Sequence, residues 1–132
     1  MDKTYLIAPF LSWFVTGSVK FLLNSIKNKR FAFDLIGYGG MPSNHAAITS
    51  CMTFLIAFKD GINASSFGIS LTFTFITILD AVSLRGEVGR HAVVLNKIAD
   101  IDYKLRERVG HTRVEIAVGI LVGFIVALML VY

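Results

Sequence analysis

The sequence predicts an all-α integral membrane bundle: about four transmembrane helices plus one interfacial amphipathic helix. Three observations carry this. The chain is 55% hydrophobic with 11 phenylalanines in 132 residues, and its mean hydropathy is +0.67. A chain of this size cannot hide that much apolar surface in a water-soluble core. The apolar residues fall into four runs near the length that crosses a bilayer. The charged residues collect between those runs. The length fits one membrane-embedded domain over 1–132.

The first run, about 5–23, has no A-x-A site after it and reads as a retained helix, not a cleaved leader. The second, 42–58, is short and polar at its start. Lys59-Asp60-Gly61 joins it tightly to the third, 62–84. The fourth is 112–132. The stretch 85–110 is too charged to span. Within it Val88, Ala92, Leu95 and Ala99 recur every three or four residues, the pattern of an amphipathic helix at the interface. The single cysteine, Cys51, lies in an apolar run with no metal-ligand spacing around it, and reads as a buried packing residue. Asn63-Ala64-Ser65 matches a glycosylation sequon, a pattern too common by chance to carry weight.

Four crossings put the 24–41 loop and the 85–110 segment on one side. Lys20, Lys27, Lys29, Arg30, Arg85, Arg90, Lys97, Lys104, Arg106, Arg108 and Arg113 lie at or near that side, 11 of the 13 basic residues. Lys3 and Lys59 remain for the other. The positive-inside rule makes the crowded side cytoplasmic and both termini extracytoplasmic. The net charge of +4 is thereby explained by the bilayer, and no nucleic-acid partner is expected.

Spans two and four both begin on that side. "GGMPSNHAAITS", from Gly39, opens span two. Pro42 suits a first helical turn, and the N–H groups near Ser43, Asn44 and His45 would form an anion site. Gly39 and Gly40 let the backbone bend around it. Span four opens with "GHTRVEIAVGILVG". His111, Glu115, Gly119 and Gly123 share one face, so Glu115 can orient the His111 imidazole. The glycines let another helix approach. Asp80 lies about a turn inside span three with Arg85 beyond it, and Lys20 lies near the same end of span one. Lys20 fits a snorkelling residue or a site cation, and Asp80 with Arg85 a structural pair or a site pair. His91 reads as interfacial. The basic run 97–108 reads as attracted to anionic headgroups.

"GGMPSNHAA", "DAVSLRGEVGRHAVVLN" and "LRERVGHTRVEIAVG" resemble the three signature blocks of the divergent type 2 phosphatidic acid phosphatase family, related to acid phosphatases and vanadium-dependent haloperoxidases. The resemblance covers about half the chain. It implies a phosphatase-like domain in which His111 is the nucleophile, Glu115 the acid orienting it and His45 the proton donor. Ser43 and the Asn44 backbone would cradle the phosphate, with Lys20 from the first block, and with Gly40 and Asp80 supporting. The chain departs from the wider superfamily's pattern in several places. Asn44 stands for a glycine and Glu115 for an aspartate. No Arg-Pro follows Lys20. Lys104 and Leu105 replace an expected Ser-Arg, and within the divergent family's second block Gly86 stands where an arginine commonly follows the Arg85 position. Arg85 can supply the missing guanidinium, with Arg106 and Arg108 as rivals.

The expectation is a lipid phosphatase of the cell (inner) membrane with a cytoplasmic-facing site and no cofactor. Asp80 and Glu115 also have the chemistry to hold a Mg²⁺ with the phosphate, so metal use stays open. Phosphatidylglycerophosphate is the first choice of substrate, ahead of phosphatidate and polyprenyl phosphates. A four-helix carrier for a lipid phosphate or cation, and an assembly subunit with a degenerate site, are the rival readings. Four short helices bury little, so a homodimer is expected.

Overall fold

The computed structural model describes residues 3–29, 31, 40–99 and 103–132. These form five α-helices and no strand: α1 (Thr4–Asn28), α2 (Asn44–Lys59), α3 (Ser65–Val82), α4 (Leu84–Ile98) and α5 (Arg113–Val131). Thr4–Asn28, Arg113–Val131 and the combined stretch Ser65–Ile98 are long and apolar enough to cross a membrane. The expected second span falls short, at 16 residues. That is about 24 Å of helix, less than the roughly 30 Å hydrocarbon core.

The short helix is the centre of the bundle. α2 packs against α1, α3 and α5, most extensively against α5. Its buried face is small: Ala46, Ala47, Ser50 and Cys51, followed by Leu55. Gly119 and Gly123 of α5 meet that face. A Cβ on Gly119 would come within 2.6 Å of the Ser43 carbonyl oxygen, and one on Gly123 within 2.5 Å of the Ala47 carbonyl oxygen. The expected close approach of another helix is therefore made, with α2 as the partner. Ala8, Cys51, Leu55, Val126 and Ala127 form the main core cluster, and Cys51 is free and buried as expected. The α2–α3 seam uses hydroxyls. The Thr53 Oγ1 lies 2.7 Å from the Ser70 Oγ and 2.9 Å from the Thr74 Oγ1, so each buried polar atom finds a partner away from water.

The outward faces stay apolar. Leu6, Phe10 and Phe14 of α1, Ile69 and Phe73 of α3, and Met129 of α5 are all exposed. Water would not tolerate such a surface, and a bilayer would. This is a transmembrane protein.

Helix α4 follows α3 after one residue. The Ser83 N–H donates to the Leu79 carbonyl and its own carbonyl accepts from the Glu87 N–H, so helical hydrogen bonding bridges the joint. The 34 residues Ser65–Ile98 make about 51 Å of helix. Part of α4 must therefore lie at or beyond the membrane surface. Its expected apolar stripe is split: Ala92 is buried, whereas Val88 and Leu95 stay exposed beside Leu84 and Ile98.

Candidate functional site

The starts of α2 and α5 are bolted together. Ser43 caps α2, its Oγ accepting from the Ala46 N–H at 3.4 Å. The Ser43 N–H donates to the Glu115 carbonyl at 3.0 Å. Gly119, one turn further along α5, makes room for this contact. Pro42 consequently lies before the cap and not in the first turn. Ser43 is fully buried, so both its hydroxyl and its N–H serve the helix junction. Asn44 and His45 open the helix itself. The Asn44 Oδ1 is buried with no hydrogen-bond partner. His45 is exposed. Gly40 has a φ of +133°, a left-handed conformation that favours glycine, in keeping with the expected bend. Gly39 lies outside the described residues.

At the start of α5, Thr112 and Glu115 form a reciprocal capping box. The Glu115 carboxylate does more than cap. Its Oε2 accepts from the Thr112 N–H at 3.0 Å and lies 3.3 Å from the His111 Nδ1. Its Oε1 accepts from the Arg108 Nη2 at 2.5 Å. Because a carboxylate accepts, Nδ1 carries the proton and the lone pair lies on Nε2. The His111 side chain is only 6% exposed, and its N–H donates to the Ala81 carbonyl of α3 at 3.1 Å. Burial holds its pKa below the ordinary 6.5. The Glu115 hydrogen bond opposes that shift, while the Lys20 and Arg85 charges reinforce it. Burial thus favours the neutral imidazole, and the Glu115 contact favours the tautomer with the proton on Nδ1.

The remaining expected residues collect around this dyad. Lys20 is buried, at 7% exposure, and does not snorkel. Charge interactions link it to Glu115, His45 and His111. Arg85 interacts with both histidines while its Nε donates to the Asp80 Oδ2 at 2.6 Å. The Asp80–Arg85 pair is thus made, and it sits beside the histidines. All five helices contribute to one polar cluster. Beside it, an open cleft of about 320 Å³ is lined by Val82, Val93, Glu107, Val109, His111 and Glu115 among others. His91 lies on the exposed surface of α4. Among the described residues, no group of three or more His, Cys, Asp or Glu side chains is placed to hold a metal ion.

Two features escaped the sequence reading. The Thr112-x-x-Glu115 capping box was legible as a motif. The engagement of Arg108 by Glu115 was not, because Arg108 lies outside α5 and reaches the carboxylate only through the path of the preceding chain.

A family model described as "Divergent PAP2 family" matches residues 1–126. The uncharacterized membrane protein YuiD of Bacillus subtilis (strain 168) is 30% identical over 135 residues, covering 86% of this chain and 85% of that one. No solved structure matches significantly. With the family model matched over nearly its whole length and a relative aligned over most of it, this chain belongs to the divergent PAP2 family.

Proposed function

We propose that the protein is a membrane lipid phosphatase that hydrolyses a phosphomonoester through a phosphohistidine. The observation that carries this is the buried His111–Glu115 dyad, flanked by His45 and by the cations of Lys20 and Arg85. In the first step the His111 Nε2 lone pair attacks phosphorus and the P–O ester bond breaks. His45 gives a proton to the leaving alkoxide. Glu115 steadies the ring as it becomes cationic. In the second step water attacks phosphorus, His45 takes a proton from it, the P–N bond breaks and inorganic phosphate leaves. Lys20 and Arg85 neutralise the equatorial oxygens, the main demand of phosphoryl transfer. The orphaned Asn44 Oδ1 is suited to accept from a substrate hydroxyl or a water.

The 11-to-2 distribution of basic residues supports a cytoplasmic-facing site and extracytoplasmic termini. Phospholipid synthesis occupies the inner leaflet, so phosphatidylglycerophosphate, with a terminal monoester clear of the bilayer, is the proposed substrate. Phosphatidate is the second choice. The test is phosphate release by the purified protein in detergent from phosphatidylglycerophosphate, phosphatidate and polyprenyl phosphates side by side. Turnover is expected to be fastest on the first and to fall by well over about a hundredfold in His111→Ala. Release from none of them would end the phosphatase reading. Preference for a polyprenyl phosphate would end the substrate choice alone.

A further inference from the structure

The block DAVSLRGEVGRHAVVLN closes on Asn96, a residue with no part in the chemistry above. Asn96 lies near the end of α4, and its amide is engaged with the chain that leads back to the site. Its Nδ2 donates to the Leu105 carbonyl at 2.8 Å and to the Glu107 Oε1 at 2.9 Å. Its Oδ1 accepts from the Leu105 N–H at 2.8 Å. One side-chain amide thus pairs with one residue's backbone in both directions, as a neighbouring strand would.

From Leu105 the chain runs antiparallel to α4. The Glu107 carbonyl passes over Gly89, where a Cβ would overlap it. Gly110 packs on Gly86, and a Cβ there would come within 3.0 Å of the Gly86 nitrogen. The His111 N–H reaches the Ala81 carbonyl. Six residue steps of extended chain cover about 20 Å. The helical path from 96 back to 81 covers about 22 Å. The strap therefore has little slack between Asn96 and His111. Arg108 rides in its middle, with its guanidinium on Glu115.

We propose that Asn96 is a positioning residue: by strapping residues 105–110 to α4 it holds Arg108 on Glu115 and so fixes the acid that orients His111. This rests on the phosphatase reading of that dyad. Asn96 acts through Arg108, whose side chain is 63% exposed and turns to solvent once the strap loosens. Glu115 then keeps the Thr112 N–H, His111 and the nearby Lys20 charge but loses its guanidinium partner.

The test uses the full chain in detergent as wild type, Asn96→Ala, Asn96→Asp, Arg108→Ala and the Asn96→Ala/Arg108→Ala double variant. Two quantities are read: amide hydrogen exchange along 103–110, and kcat and KM for phosphate release. Asn96→Ala is expected to speed exchange at the Leu105 amide by about tenfold or more while α2 and α5 stay protected. It is expected to lower kcat about tenfold with KM within about twofold. Asn96→Asp keeps the acceptor for the Leu105 N–H but offers no donor, and falls between. The double variant is expected to be no worse than Arg108→Ala, since both act through one contact. Multiplying losses in the double variant would overturn the proposal, as would faster exchange with unchanged kcat, or unchanged exchange. If the wild type releases no phosphate, the phosphatase reading fails and takes the positioning role with it. Exchange would then still report whether Asn96 anchors the strap.

Discussion

Two backbone-to-backbone contacts shape this molecule, and they are made by different means. The α2–α5 crossing sets Gly119 and Gly123 against Ser43, Ala47 and Ser50 inside the bundle. The α4–strap contact sets Gly89 and Gly86 against Glu107 and Gly110 at the polar end, and adds the Asn96 amide. Glycine permits close approach in both. In the crossing, van der Waals packing of two regular helices holds the approach once it is made. In the strap the chain is extended and its backbone groups need partners, so a side chain must supply them. The crossing sets the distance between the starts of α2 and α5. The strap sets what surrounds Glu115.

The contrast breaks most severely at Gly123. In Gly123→Leu the new side chain meets the Ala47 carbonyl and the Cys51 nitrogen, neither of which can yield within a helix. A loss of about 3 kcal/mol or more is expected, read as aggregation or a collapsed melting temperature in detergent. Glu115→Gln comes next. A glutamine oxygen still accepts the Thr112 N–H, so α5 keeps its start. The charge that steadies His111 and pairs with Arg108 is gone, and kcat is expected to fall about a hundredfold with the melting temperature nearly unchanged. Gly89→Ala pushes on the strap alone. It is expected to lower kcat about tenfold while leaving α2–α5 protection in hydrogen exchange intact. If it unfolded the protein as Gly123→Leu does, the two contacts would not be separable.

The smallest effect is a pH shift. Burial, with Lys20 and Arg85, lowers the His111 pKa from 6.5. Above that pKa the Nε2 lone pair is free, and below it the ring is protonated and cannot attack. Rate should therefore fall as pH drops through a value under 6.5. Lys20→Met removes a positive charge, favours the imidazolium and raises that pKa. The acid limb of kcat against pH is expected to move upward, by less than about one unit.

These contacts also mark how far the sequence can be read. The glycines at 119 and 123 follow His111 and Glu115 at intervals of four, so one helical face carried both the site and its close packing. Periodicity of that kind survives in any helix. The short α2 was visible as an apolar run, but its central place was not, because 16 residues with a buried face that opens on small side chains look weak in isolation and gain meaning only when three helices surround them. The strap was invisible for a different reason. It has no period, and no local pattern pairs Asn96 with Leu105. Ser43 was read for the phosphate, and its place as the buried cap of α2 was not read, since Ser before a helix serves either role.

On the phosphatase reading His111 carries the phosphoryl group. This is tested most directly by rapid mixing of the purified protein with a ³²P-labelled lipid phosphomonoester, an alkaline quench, and mapping of the trapped label. The expected result is an acid-labile, alkali-stable phosphate on His111 that forms and decays at rates consistent with turnover and is absent in His111→Ala. Turnover with no label on the protein at any time, or a His111→Ala variant that still turns over at near wild-type rate, would contradict it.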